Sequence, residues 1–391
     1  MMNFIRALLL ALVPLCAFAQ TAPVVVGAVV SQSGDLAGLA SDYRKGLLLW
    51  QVEINAAGGL LGRRVELQLF DDQSEATRAG PLYARLIGED KADVLIGPFG
   101  SAATVGAAAV AERHHRVLLN ATGATLSVYG AGHRYVFQVA APYAAYGEEL
   151  LDLMRAAGYR RLYVLARDDP ASREMAQRFV ERAPRYGLVA GEALYYAGAT
   201  QDFAPQVSAA RAASAEAWIA FGGETDAAEM VKTMKRLGYA PKLFFARGAA
   251  EPRFVRDVGQ DAEFTLAASA YQPGFATPGN ALFAKAFAAR WAAPPGLAAA
   301  QAYAAGQVLE QAVKQAGSLE QEKLRAALAT LEAGTVLGRY KIDPQSGEQL
   351  GARPAVVQIL KGRPEVVWPR TLATENWRLP YPRWDERKPI Q

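Results

Sequence analysis

Cysteine is almost missing from this chain: one in 391 residues, at Cys16. That excludes a disulfide framework and any metal site built on several thiolates. Histidine is nearly as scarce, with three in all, two of them adjacent at His114 and His115. This pair closes a helical stretch, where the helix dipole favours such side chains, so no metal centre is expected. Charge of one sign is also lacking. Lys and Arg number 42 against 38 Asp and Glu, a net +4 with no basic block longer than pairs such as Arg63-Arg64 and Arg160-Arg161. Nucleic-acid binders gather basic residues into a stripe, so no nucleic-acid partner is expected. No solenoid period recurs, and after the N-terminus no apolar run is long enough to cross a bilayer.

What is present begins with an address. Met1 to Arg6 carries one positive charge, Ala7 to Phe18 is an apolar run, and Ala17-Phe18-Ala19 offers a small-x-small cleavage site. This layout predicts a secretory signal peptide over 1–19, cut after Ala19, and a periplasmic mature protein. Leu15 precedes Cys16, which argues against lipid modification of that cysteine; it leaves with the signal peptide.

The mature chain alternates strand and helix. Val24 to Val30 is rich in β-branched residues, as in a strand buried on both faces. A Gly/Ser-rich loop follows, then a helix expected from Ser41 or Asp42 to Asn55. Further strands are predicted at 64–70, 93–97, 117–119, 161–165, 217–221, 242–245 and 264–268. Helices are predicted at 76–88, 101–114, 143–157, 172–183 and 226–237. Such alternation makes βαβ units and parallel sheets. One sheet of that many strands would be unusually large, so two lobes are expected. From Pro278 to Leu331 consecutive helices replace the pattern, and short strands and turns follow Thr335.

Catalytic and cofactor signatures are missing. After the first strand the glycines of Ser31 to Gly38 have the wrong spacing for a dinucleotide fingerprint, and no phosphate loop or Gly-x-Ser-x-Gly elbow occurs. No cofactor is expected. The carboxylate pairs Asp71-Asp72 and Asp168-Asp169 fall at strand ends, where they cap helices or support loops. Ligands of open α/β sheets bind beyond the carboxyl ends of the strands. Three loops of the first lobe reach that edge: 31–42, 97–104 and 120–125. Ser101 opens a helix after a glycine-flanked turn, so it suits helix capping, a ligand carboxylate, or both.

The stretch Gly58-Gly59-Leu60-Leu61-Gly62-Arg63-Arg64-Val65-Glu66, closing in Asp71-Asp72-Gln73-Ser74, resembles a hallmark of the periplasmic leucine/isoleucine/valine-binding proteins. Ser33-Gly34, Asp93 to Pro98, Tyr135 to Gln138 and Val366 to Pro369 agree in order. The resemblance spans the whole mature chain. It implies the type I periplasmic binding protein fold: α/β, two Rossmann-like lobes joined by three crossovers and closing on a ligand. The lobes would comprise 21–140 plus 271–353 and 141–270 plus 354–391.

By the same resemblance, Ser101 holds a ligand carboxylate, and Ala121, Thr122, Gly123 and Thr125 form the loop that grips the ligand. Tyr43 and Phe99 are candidate apolar walls. In the second lobe Ser172 lies on a loop, Asp168 to Arg173, that lacks the family's frequent tyrosine. Glu224 falls where a cleft-facing side chain is expected. Where the family places an acid for the ligand ammonium, this chain has Arg247; an amino acid ligand then requires Glu224 in that role, and a carboxylate without an amino group, such as an aromatic acid, is the other option. The implied protein is a non-enzymatic, monomeric solute-binding protein that delivers its ligand to an ABC permease and meets the membrane only there. A sensor module presenting ligand to a receptor is the alternative. A periplasmic hydrolase would need a nucleophile–base constellation that is not visible.

Overall fold

The computed structural model describes residues 22–387; the expected signal peptide lies outside them. The first apolar runs fold as the sequence dictates. β1 (Val24–Val29) is followed by α1 (Ala37–Ala56), β2 (Val65–Phe70), α2 (Ala76–Gly88), β3 (Val94–Ile96), α3 (Ser101–Arg113), β4 (Leu118–Asn120), α4 (Leu126–Tyr129) and β5 (Val136–Gln138). These strands form one sheet in the order β2-β1-β3-β4-β5, with every pairing parallel. β1, β3 and β4 are almost wholly buried, as strands covered on both faces by helices must be.

The chain then crosses to a second sheet. α5 (Glu148–Ala157), β6 (Arg161–Arg167), α6 (Pro170–Arg182), β7 (Val189–Ala190), β8 (Leu194–Tyr196), α7 (Ala204–Ala212), β9 (Ala217–Phe221), α8 (Glu224–Arg236), β10 (Leu243–Ala246), α9 (Pro252–Val258) and β11 (Leu266–Ser269) build it. A second crossing leads to α10 (Asn280–Trp291), α11 (Leu297–Ala316), α12 (Gln321–Thr330) and the hairpin of β12 (Ala333–Thr335) and β13 (Gly338–Tyr340). α11 packs along α1 within the first lobe's core. A third crossing ends in β14 (Ala355–Leu360) and β15 (Arg363–Trp368). These return to the second sheet, whose order is β15-β14-β11-β10-β9-β6-β7 with β8 also on β6. The molecule therefore has two α/β lobes and three crossings.

The crossings are tied together. Asn280 donates to the carbonyls of Gln272, Pro273 and Phe275 at 3.0, 3.2 and 2.9 Å, which fixes the second. Gln349, on the third, donates to the Val139 carbonyl on the first at 3.2 Å.

The structure departs from the sequence expectations in four places. α1 begins at Ala37, earlier than Ser41 or Asp42, with no side-chain cap at Leu36; the amide of Ala37 bonds to Gly34 instead. The helix expected over 143–157 is broken. Tyr143–Ala145 is a 3-10 turn, and Gly147 at φ 90° precedes α5. The second sheet is not purely parallel, because β14 runs antiparallel to both β11 and β15. Finally α4, β5, β7, β8, α7 and α9 have no counterpart in the strands and helices expected from the sequence; the first four span four residues or fewer, too short to carry a periodic pattern.

Candidate ligand-binding site

At the carboxyl edge of the first sheet, the loop after β1 is organised by Asp71. Its carboxylate accepts from the amides of Gln32 (2.8 Å) and Ser33 (3.3 Å) and from the Ser33 hydroxyl (2.7 Å). Nearby burial opposes its charge, but the Ser33 hydroxyl and the amides of Gln73, Gln32 and Ser33 hold its pKa below the ordinary value. Gly34, at φ 80°, lets the loop lie on the Gln73 carbonyl, which a Cβ would meet at 2.5 Å.

The loops after β3 and β4 interlock. The amide of Gly100 donates to the Thr122 hydroxyl at 2.8 Å, and that hydroxyl donates to the Pro98 carbonyl at 2.8 Å. Ser101 is the first residue of α3, the cap position falling on Gly100. Its hydroxyl accepts from the Ala124 amide at 3.2 Å. Asn120 closes the second loop by a reciprocal pair with Gly123, at 2.7 and 2.6 Å. Ser101, Ala121, Thr122 and Gly123 are thus held as one unit, with Ala121 fully buried. The first amides of α3 lack intrahelical acceptors and make a receptor for an oxyanion. Thr125 precedes α4, its hydroxyl 2.8 Å from that of Ser127. Tyr43 lies in the core: it is fully buried and donates to the Gly97 carbonyl at 2.5 Å. Phe99 is half-buried with its ring 6.0 Å from that of Tyr43.

In the second lobe Ser172 is buried and bound to Asp169, which caps α6 through the Ser172 amide at 2.9 Å and accepts its hydroxyl at 2.9 Å. Asp168 pairs with Arg173 at 2.6 Å. Both carboxylates of that loop serve it structurally. Glu224 opens α8, with an Arg253 nitrogen 3.8 Å away. Arg247 follows β10, and its Nε donates to the Gly222 carbonyl at 3.1 Å. Gly248 makes this approach feasible, since a Cβ there would lie 2.2 Å from the carbonyl carbon of Gly223.

Arg247 also lines a cavity of about 650 Å³. Its walls come from both lobes and a crossing: Tyr146, Glu251 and Arg256 from the second, Asp42, Pro295 and Leu297 from the first, and Tyr271 between them. Ser101, Ala121, Thr122, Gly123, Thr125, Phe99 and Glu224 are not among its lining residues. Tyr143 and Tyr146 stand edge to face, 6.0 Å between centroids. Burial raises the pKa of both phenols and the charge of Arg247 opposes the rise.

Sequence reasoning missed Tyr146, Tyr271 and Glu251, and took Asp42 only as a helix cap. The signal available was Gly147, an obstacle to the helix that hid Tyr146. Outside the cavity lining, Glu174 on α6 reaches the first lobe. It accepts from the Leu126 amide at 3.0 Å and the Tyr129 hydroxyl at 2.8 Å. Among the described residues there is no cluster of metal-ligating side chains and no helix long and apolar enough to cross a membrane.

Two α/β lobes, three crossings and a cavity between the lobes define a two-lobed solute-binding protein. The chain belongs to the periplasmic binding protein family, whose profile matches residues 23–363. It is 25% identical over 332 residues to an amino acid binding protein of Pseudomonas aeruginosa, covering 82% of this chain and 86% of that one. Its fold matches a leucine binding protein of Thermotoga maritima, with a TM-score of 0.69, 22% identity and coverage of 88% and 97%. It also matches a solute-binding protein of an R. palustris ABC transporter in complex with benzoate, with a TM-score of 0.68, 21% identity and coverage of 93% and 97%.

Proposed function

We propose that this protein captures a small organic carboxylate between its lobes and delivers it to an ABC importer, without chemical turnover. The observation that carries the reading is Arg247. A cation on the wall of an interlobe cavity suits an anionic ligand and opposes the ammonium of an amino acid. The amino acid and benzoate relatives mark two ligand classes on related folds, and Arg247 favours the one without an amino group. The lobes comprise 21–140 plus 271–353 and 141–270 plus 354–391. The protein acts as a monomer in the periplasm after loss of residues 1–19.

Ser101 and the first amides of α3 receive the carboxylate, with Thr122 and Gly123 shaping the loop beside them. Charged hydrogen bonds contribute about 1.5–3 kcal/mol each, and micromolar affinity requires about −8 kcal/mol. A few such contacts, plus apolar burial, are sufficient after ordering costs. The test is calorimetry with a panel of aliphatic acids, aromatic acids and amino acids. Carboxylates are expected to bind, and Ser101→Ala is expected to weaken them about tenfold. Binding of amino acids alone, or an affinity untouched by Ser101→Ala, overturns the reading.

A further inference from the structure

We infer that the second lobe carries its own oxyanion receptor, Arg247 with Tyr146, so that the ligand bears an anionic group at each end. This rests on the reading above, in which the first lobe takes a carboxylate.

The receptor is built. The bond from Nε to the Gly222 carbonyl fixes the guanidinium plane. Among the described residues its terminal nitrogens have no hydrogen-bond partner, which leaves a two-pronged donor of the kind that fits a carboxylate. Tyr146 lines the same cavity, is 8% exposed, and its hydroxyl also bonds to nothing among the described residues. That hydroxyl is not sealed into the core, and a ligand oxygen in the cavity would give it a partner. The turn before Gly147 places Tyr146 here, and the close approach of Gly248 places Arg247.

The acids of the facing loops point the same way, because almost all are engaged. Asp71 holds the loop after β1, Asp42 pairs with Lys45 at 2.8 Å, and Asp169 caps α6. Asp226 accepts from the Gly223 amide at 2.8 Å, and Glu224 lies by Arg253. Glu251 is the one lining carboxylate with no bonded partner among the described residues, and the charge of Arg247 acts on it. No pair of free acids awaits an ammonium. Glu251 instead balances Arg247 while the site is empty, and a ligand anion displaces that role. The cavity volume, about 650 Å³, falls within the range of sites for drug-sized ligands; Ser101 lies outside its lining, so the span between the two anion sites is set by closure of the lobes.

The test compares matched acids by calorimetry on the mature protein: terephthalate against benzoate, and pimelate against heptanoate. One diacid is expected to bind at least tenfold more tightly than its monoacid partner. Arg247→Met is expected to abolish that difference by weakening the diacid at least tenfold more than the monoacid, Arg247→Lys to restore part of it, and Tyr146→Phe to reduce it. Glu251→Gln, which removes a like charge, is expected to strengthen diacid binding. Thermal melts of each variant without ligand confirm folding. If monoacids bind as well as diacids and Ser101→Ala still weakens them, the inference falls and the carboxylate reading stands. If amino acids bind best and Glu251→Gln abolishes that binding, both fall.

Discussion

Asp71 shows how one side chain organises a loop at the carboxyl edge of a sheet. Its folded pKa is depressed, so its contribution is present above the unfolded value of about 3.9 and is lost as pH falls through the folded one. Asp71→Asn is expected to lower stability by about 1–2 kcal/mol at neutral pH. The variant's melting temperature should also lose part of the wild type's decline below about pH 4. Equal acid sensitivity in both proteins would contradict this role. The sequence pointed to Asp71 as a helix cap or loop support and left a binding role open; its bonds to the loop after β1 come from the structure. For Tyr146 the one local hint in the sequence was the glycine that follows. A periodic stretch from Tyr143 to Ala157 reads as one helix, and only the Phe179 and Phe221 rings against Gly147 explain why the chain turns there. Those are tertiary contacts, invisible to local pattern.

At the scale of elements, α1 and α11 illustrate what small residues do. Gly306 lies under the Trp50 indole, where a Cβ would come within 2.3 Å of the ring, and Gly46 lies on the Ala299 carbonyl, where it would come within 2.2 Å. Through this packing the helices after the second crossing return to the first lobe. Gly306→Ala is expected to cost about 1–3 kcal/mol by overpacking, measured by denaturant unfolding, even though alanine is the better helix former. A stabilised variant would show that the helices have room to separate. Single elements were legible: α2 and β9 match their expected limits, and α3 falls within a residue of its own. Their pairing was not legible, because no local signal links residues 250 positions apart. The antiparallel β14 escaped for the same reason. A buried apolar run carries no mark of direction.

For the whole molecule, the two lobes were expected from alternation, whereas of the loops and residues expected to face the cleft only Asp42 and Arg247 line the cavity. The clasp from Glu174 to Leu126 and Tyr129 joins the lobes through residues that do not line the cavity. Burial, then the Glu174 carboxylate, raises the Tyr129 phenol well above its usual pKa, so it remains a donor throughout the physiological range. Glu174→Gln is expected to weaken ligand affinity about three- to tenfold and to enlarge the ligand-free protein in small-angle scattering. An unchanged radius and affinity would mean the clasp contributes nothing to closure.

That clasp bears on a hazard of carriers that announce their cargo by shape. Closure energy supplied by Glu174 is energy the ligand need not supply, so it raises affinity and the fraction of empty protein that is shut in equal measure. Empty protein in the shut form would compete for the proposed importer with loaded protein. A clasp of two hydrogen bonds at a solvent-facing rim therefore sets a compromise between scavenging dilute solute and sending false deliveries, and Glu174 is where that compromise can be tuned by a single substitution.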